Sequence, residues 1–334
     1  MTVETQPSDL QPAEQSQPQL LSYAHRRFYF VINTKSGNYF KWLVQLRIGE
    51  FLTTEGVSGE VHYLRDTATL QTRLEAAHSA GYRDFVAVGG DGTIALVASL
   101  LRHHESRIGI VPVGTTNMLA QMLGIPLSTK RSLELLLGPN RVRAIDAFEI
   151  GDRLFFLNAS AGFSSFSISA LRTEEKTYFK LLAYAFTLLR GMRKVKTWRF
   201  RLEVDGSPID LEAAELFVDN VGALWLPRLR MSDARFDDGE AVICYVPKAT
   251  MPELANAFLD VLLVRKKRLS LRFLTSAQRL NVDCDERIPV QADGDAIGYT
   301  PVTIAVAPAI TEFIVPQPHP ALPMPATQQI LPLA

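Results

Sequence analysis

At 334 residues, 47% of them hydrophobic, the chain is long for one domain and can build two sizeable cores. Its 35 Lys and Arg offset 35 Asp and Glu, which excludes a global field of the kind that draws a protein to nucleic acid or spreads it on a membrane; any basic surface is local. Cys244 and Cys284 supply neither a disulfide framework nor a thiolate zinc site and suit a reducing compartment.

Residues 1–25 are rich in Gln and Pro, poor in packable side chains, and lack the basic-then-apolar order of a signal peptide. They are expected to be disordered, as is the Pro-rich segment 317–334. Beyond them "RFYFVIN" predicts a strand, Phe40–Phe51 a helix, "GEVHYL" a strand and Ala68–Ala80 a helix. "DFVAVGG" then predicts a strand, Ile94–His103 a helix, and "RIGIVPVG" a strand before a helix through Leu123. Such alternation implies an α/β domain over residues 26–143, a parallel sheet with helices on both faces.

Near Arg141 the pattern changes. "VRAIDAFEIGDRLFFLNASAGF" reads as strands joined by a Gly-Asp turn, and "WRFRLEVDGSPIDLEAAELFVDN" as strands joined by an Asp-Gly turn. A mainly antiparallel β domain is expected over residues 144–316, with helices over Tyr178–Met192 and Pro252–Val264. Apolar runs such as Leu181–Leu189 fall short of the ~20 residues that cross a bilayer.

Ligands of parallel sheets bind beyond the carboxyl ends of the strands, where two glycine turns fall. "GGDGT" (Gly89, Gly90, Asp91, Gly92, Thr93) leaves a strand and opens a helix, so phosphate can approach a backbone without Cβ atoms at a helix N-terminus. Asp91 would repel that phosphate unless a cation lay between them, and magnesium joins carboxylates to phosphates in this way. An Asp-Gly helix cap is the plainer explanation of one such turn. However, "PVGTTNMLA" repeats the arrangement at Gly114, Thr115 and Asn117, and "INTKSGN" puts Asn33, Thr34, Lys35, Ser36 and Gly37 after the first strand. Neither the P-loop nor the dinucleotide fingerprint is present.

These motifs, in this order, resemble the diacylglycerol kinase and sphingosine kinase catalytic superfamily, bacterial lipid-kinase type, related to NAD kinases. The likeness covers about Phe28–Pro316. "GTTN" resembles the family's GTxN turn, "LNASAGF" its Asn-x-x-Ser-x-Gly segment, "ARFDDGEAVICYV" its Asp-Gly turn before a strand, and "VQADGD" its Gln-x-Asp-Gly-Glu turn. The resemblance implies a phosphofructokinase-like nucleotide domain and a β-rich substrate domain. ATP would be held by residues 33–37, Gly89–Thr93, Gly114, Thr115 and Asn117. A second metal would take the Asp238 carboxylate with the carbonyls of Arg235 and Glu240, and Asp293 or Asp295 would be the general base on a lipid hydroxyl. Thr34 and Ser232 replace customary prolines, Met118 replaces a frequent Asp and Asp295 a customary Glu.

On this basis the expected activity is ATP- and magnesium-dependent phosphorylation of diacylglycerol or a related lipid. Phosphoryl transfer is mostly positioning and charge neutralisation, and a carboxylate takes the alcohol proton. As residues alone, Asp293-Gly-Asp295 could equally be a hairpin turn. Lys176, Lys180, Arg190, Arg193, Lys194 and Lys196, and the run Arg265–Arg268, could hold the enzyme on the inner face of a membrane at about 1 kcal/mol each, or simply be solvated helix ends. The expected setting is cytoplasmic and peripheral, with no nucleic-acid partner and room for a homodimer. Trp225 is a candidate for the lipid pocket or for packing, and the six histidines show no metal spacing. The alternatives are a soluble-metabolite kinase of NAD-kinase type, against which Ala95 and Leu96 stand where an Asn-Glu pair is expected, and a non-catalytic nucleotide- or lipid-binding regulator.

Overall fold

The computed structural model describes residues 26–34, 41–165, 196–221, 235–248, 250, 252–253, 256 and 270–317. Both terminal segments, Lys35–Gly37, the expected helix at Tyr178–Met192, most of that at Pro252–Val264, Trp225 and Ser232 lie outside the described residues.

Four parallel strands, β1 (Arg27–Ile32), β2 (Ser58–Tyr63), β3 (Asp84–Gly89) and β4 (Arg107–Pro112), stand in the order β2-β1-β3-β4. The pleat of β1 sends alternate side chains to opposite faces. Phe28, Phe30 and Ile32 enter a core with Ile48 and Phe51 of α1 (Lys41–Thr54) and Leu133 and Leu136 of α5 (Thr129–Leu137). Tyr29 and Val31 enter another with Leu70 and Leu74 of α2 (Thr67–Ser79) and Ile94 and Val97 of α3 (Asp91–Leu101). Two layers of helices thus cover a sheet whose strands β1, β3 and β4 are buried on both sides, while the edge strand β2 stays largely exposed. The short α4 (Met118–Met122) follows the second glycine turn.

Two details differ from the sequence expectation. Helix α3 starts at Asp91, three residues earlier than the apolar periodicity indicates, because Gly90 is extended at the cap and its carbonyl accepts from Thr93 N and Ile94 N. Helix α5 was not anticipated between the Gly-Thr turn and Arg141; Leu133 and Leu136 anchor it on the sheet.

The remaining strands among the described residues pair antiparallel, apart from the parallel contact of the last one with β4. In chain order come β5 (Asn140–Ile150), β6 (Arg153–Phe155), β7 (Asn158–Gly162), β8 (Trp198–Val204), β9 (Ser207–Ala213) and β10 (Glu215–Asp219). They are followed by β11 (Ala241–Val246), β12 (Arg272–Ala277), β13 (Arg279–Cys284), β14 (Pro289–Ala292), β15 (Asp295–Tyr299) and β16 (Val302–Pro316). Asp205 and Gly206, both at positive φ (48° and 82°), make the tight β8–β9 turn expected of an Asp-Gly pair. One sheet runs β12-β11-β10-β7-β14-β15 and packs on β8 and β13 through Trp198, Phe200, Leu202, Leu216, Val218 and Val290, forming a sandwich.

Strand β16 joins the two halves. It pairs parallel with β4 through Glu312 and Phe313 and antiparallel with both β5 and β13, so the nucleotide-side sheet and one sandwich layer are continuous. Helix α3 adds a second tie, since Ser99 Oγ accepts from Leu154 N at 2.8 Å and Arg102 Nη1 donates to Asp152 O at 2.6 Å.

Candidate active site

Strand order reverses between β1 and β3, and the carboxyl ends on either side of that switch carry Asn33 and Gly90. Asn33 Nδ2 donates to Thr93 Oγ1 at 2.9 Å, tying the first turn to the GGDGT turn. Gly90 and Gly114 lie back to back: a Cβ on Gly114 would stand 2.5 Å from Gly90 Cα. These glycines are therefore required by the contact between the two turns. No side chain caps α3, which leaves its N-terminal dipole end directed at the switch point. Asn117 is left-handed at φ 46°, donates from Nδ2 to Gly114 O, and buries Oδ1 with no protein partner. The turns thus form a small-residue cradle at a helix N-terminus, which fits a polyphosphate.

Asp91 has work within the protein. Its Oδ1 accepts from Leu119 N at 2.9 Å, and its Oδ2 from Met118 N at 3.0 Å and Thr116 Oγ1 at 3.2 Å. The first helix of the phosphate edge thereby caps the next one, a function that sequence reading missed.

The Asp-Gly-Asp turn between β14 and β15 meets this edge. A Cβ on Gly92 would stand 3.6 Å from Asp295 Oδ2, and Arg153 Nη2 lies 3.9 Å from the same oxygen. Asp293 is left-handed at φ 49°. Its Oδ1 accepts from Leu157 N (2.9 Å) and Asn158 N (3.1 Å), and its Oδ2 from Phe156 N (2.8 Å). Burial raises its pKa to about 6; the three backbone donors oppose the rise, and the negative charge of Asp91 adds to it. That last influence shows the two acids to be electrostatic neighbours.

Behind the turn, the sheet face opposite the sandwich core carries polar side chains. Gln291 Oε1 accepts from Gly294 N at 2.9 Å, and its Nε2 donates to Ser160 Oγ at 2.8 Å and Asn158 Oδ1 at 3.3 Å. Ser160 Oγ lies 2.9 Å from Ser164 Oγ, which donates to Glu215 Oε1, while Ser164 N donates to Glu215 Oε2 at 2.7 Å. Glu215 is fully buried, and burial pushes its pKa up to about 7 against the serine donors. The folded protein therefore holds a proton there that the unfolded chain releases, so stability falls as pH rises from about 4.5 to about 7. The unfolding free energy of Glu215→Gln relative to the parent should accordingly be higher at pH 8 than at pH 5, by on the order of a few kcal/mol, whatever the glutamine costs in hydrogen bonding at both. Equal melting shifts at both pH values in calorimetry would contradict this.

The Arg235–Glu240 turn is a separate feature. Asp238 Oδ2 accepts from Arg235 N and Oδ1 from Glu240 N, both at 3.2 Å, so this carboxylate meets the amides of its two expected co-ligands. Buried Asp146 pins the turn by accepting from Gly239 N and Ala309 N, each at 2.7 Å. Among the described residues no three His, Cys, Asp or Glu side chains cluster as metal ligands, and no helix is long and apolar enough to cross a membrane. Of the basic residues singled out above, Lys196 pairs with Glu286 at 2.6 Å, while the others lie outside the described residues. Besides Asp146, the sequence reading passed over Glu215 and Asn220. Asn220 is fully buried and donates from Nδ2 to the carbonyls of Asp146 and Phe156. An acid or amide inside an otherwise apolar strand was the available signal.

Glycine turns at the switch point of a parallel sheet are thus faced by an acid turn from a β sandwich. Comparison with known proteins gives two domain matches. Residues 27–150 match the diacylglycerol kinase catalytic domain, and residues 159–315 match the YegS C-terminal NAD kinase beta sandwich-like domain. The chain thus carries a diacylglycerol kinase catalytic domain followed by a YegS-type C-terminal domain. A Pseudomonas aeruginosa protein named "Probable lipid kinase YegS-like" is 29% identical over 253 residues, covering 75% of this chain and 82% of the relative. A Staphylococcus carnosus diacylglycerol kinase is 24% identical over 237 residues, covering 70% and 76%. A solved diacylglycerol kinase structure from Bacillus anthracis str. Sterne superposes with TM-score 0.68 at 19% identity, covering 88% of this chain and 98% of that one, a likeness of fold.

Proposed function

We propose that this protein is an ATP-dependent lipid kinase that transfers the γ-phosphate to a hydroxyl of diacylglycerol or a related lipid. The observation that carries the reading is the approach of the Asp293–Asp295 turn to the GGDGT helix start, which puts candidate acceptor-side acids beside candidate phosphate-side amides. The two domain matches and the lipid-kinase names of the relatives support it.

In this reading Asn33, residues 34–37, Gly89–Thr93, Gly114, Thr115 and Asn117 hold the nucleotide, with the α3 N-terminus directed at its phosphates. Asp293 accepts the lipid hydroxyl proton. A pKa near 6 suits a general base at neutral pH, and Oδ2 accepts only one of the three backbone bonds, which leaves it a lone pair for the alcohol. Asp91, whose carboxylate also accepts from Thr116, Met118 and Leu119, is the acid beside which magnesium would supply charge neutralisation, and Asp295, over Gly92, is the alternative base. Asp238, with the carbonyls of Arg235 and Glu240, would hold a second, structural cation. The domains are residues 26–143 for nucleotide and 144–316 for substrate, and the protein works from the cytoplasmic face of a membrane.

The test is incubation with γ-labelled ATP and magnesium on mixed micelles of a total lipid extract, with products separated and identified by mass spectrometry. A labelled lipid is expected. Labelled soluble metabolite alone, or nucleotide binding without transfer to any acceptor, would replace the reading with a soluble-metabolite kinase or a regulator.

A further inference from the structure

We propose that Glu215 is a positioning residue that sets the Asp293–Asp295 turn by fixing the direction of a buried hydrogen-bond chain running through Ser164, Ser160 and Gln291. The proposal rests on the reading of that turn as catalytic only for its effect on turnover.

The direction follows from what each group can give. Gly294 N–H can only donate, so the Gln291 atom facing it is Oε1, and Nε2 faces Ser160. Ser160 Oγ, having accepted from Gln291, turns its own hydrogen toward Ser164 Oγ. Ser164 Oγ then donates to Glu215 Oε1, so with the acid ionised, above about pH 7, every hydrogen in the chain points away from the turn and ends on a carboxylate. The terminus is held from a second side, since Glu215 Oε2 accepts from Ser164 N where the chain enters a helical turn at Phe163. Gly162 permits that approach: a Cβ there would lie 3.0 Å from Glu215 Oε2 and 2.6 Å from Ala214 O. The carboxylate touches no cation among its described contacts. Its partners are the acceptor-seeking hydroxyls and amides of one chain.

Glutamine at position 215 is the informative change. Its carbonyl can take the Ser164 amide, but its NH2 then donates to Ser164 Oγ. Ser164 Oγ could accept from both sides only by leaving its own hydrogen unpaired; bonding every hydrogen instead reverses each hydroxyl, so that Ser160 donates toward Gln291 and the Gln291 amide rotates to accept. Rotation turns Nε2 toward Gly294 N–H, donor against donor. The mismatch is thus displaced from a well-packed site at Glu215 to the turn some residues away, across β7 and β14. Ser160→Ala cuts the chain in the middle, so the state of residue 215 should no longer reach Gly294.

The experiment is glycine-selective 15N labelling of the full chain, measuring the Gly294 amide shift and its hydrogen-exchange rate in the parent, Glu215→Gln, Ser160→Ala and the double variant, with kcat and KM for lipid and ATP measured in parallel. Glu215→Gln should raise Gly294 exchange about tenfold or more and lower kcat about tenfold, with ATP KM unchanged. In the Ser160→Ala background, Glu215→Gln should add nothing to either. An unchanged Gly294 amide in Glu215→Gln, or independent effects of the two changes, overturns the proposal. Because the amide readout needs no substrate, a parent without lipid-kinase activity would reject the functional reading while the exchange data still decide the positioning role. If Glu215→Gln fails to fold, titration of Glu215 itself supplies the test: the Gly294 amide shift should show a step near pH 7, apart from that of Asp293 near 6, which Ser160→Ala abolishes, and a missing step or one that survives Ser160→Ala overturns the proposal.

Discussion

Asp293→Asn should lower kcat by about 10³-fold, the middle of the range that a general base contributes. Two consequences of the geometry separate that loss from mere damage. The amide replaces one carboxylate oxygen by a donor, which then faces either Phe156 N–H or the pair Leu157 and Asn158 N–H, so one buried backbone donor loses its acceptor. That costs about 1–3 kcal/mol of stability, visible as a lower melting point. The lost turnover is a separate quantity, measured on folded protein at saturating lipid. The parent needs Asp293 ionised, so its kcat should rise with pH through about 6, the value to which burial lifts this acid. The residual activity of Asp293→Asn should lack that limb. Asp295→Asn, at a half-exposed side chain beside Gly92, should lower kcat far less. If Asp293→Asn turns over normally and Asp295→Asn does not, the base is Asp295.

Asp91→Asn should raise the KM for ATP by at least tenfold and reduce kcat with it. Asp91 accepts from Thr116, Met118 and Leu119, so its carboxylate sets the Gly114–Asn117 turn by capping α4. An asparagine keeps one oxygen and presents its NH2 to a backbone donor. The second glycine turn, packed on Gly90 without Cβ atoms between them, then loses its anchor. Isothermal titration with a non-hydrolysable ATP analogue reads the effect without chemistry. Parent-like affinity would show that the capping bonds do not set the nucleotide turn.

How far the sequence reveals this arrangement depends on the range of the forces involved. The β1–α1–β2–α2–β3–α3–β4 series was legible because alternation, apolar periodicity and glycine punctuation act within a dozen residues. The Asp205-Gly206 turn was legible because few residue pairs accept two positive φ values in succession. The start of α3 was misplaced because Asp91 and Gly92 are helical without being apolar, and α5 was passed over although Leu133 and Leu136 have core spacing. The motifs located Asp91, Asp293 and Asp295 but left their partners unseen. Asp293 bonds residues 135–137 positions away, and Glu215 finds Ser164 51 positions away, distances at which local pattern carries no information.

Strand β16 also bears on how the protein is made. Synthesis runs from the amino end, and early domains commonly fold before later ones emerge. Here β4 gains its outer neighbour only from Val302–Pro316, and β5 depends on the same segment. The nucleotide half should therefore wait on the ribosome as an incomplete sheet with an open edge. A nascent chain stalled after residue 150 should bind chaperone and resist compaction. The ability to engage ATP should arrive abruptly as the final strand clears the exit tunnel, together with the acid turn that would use it.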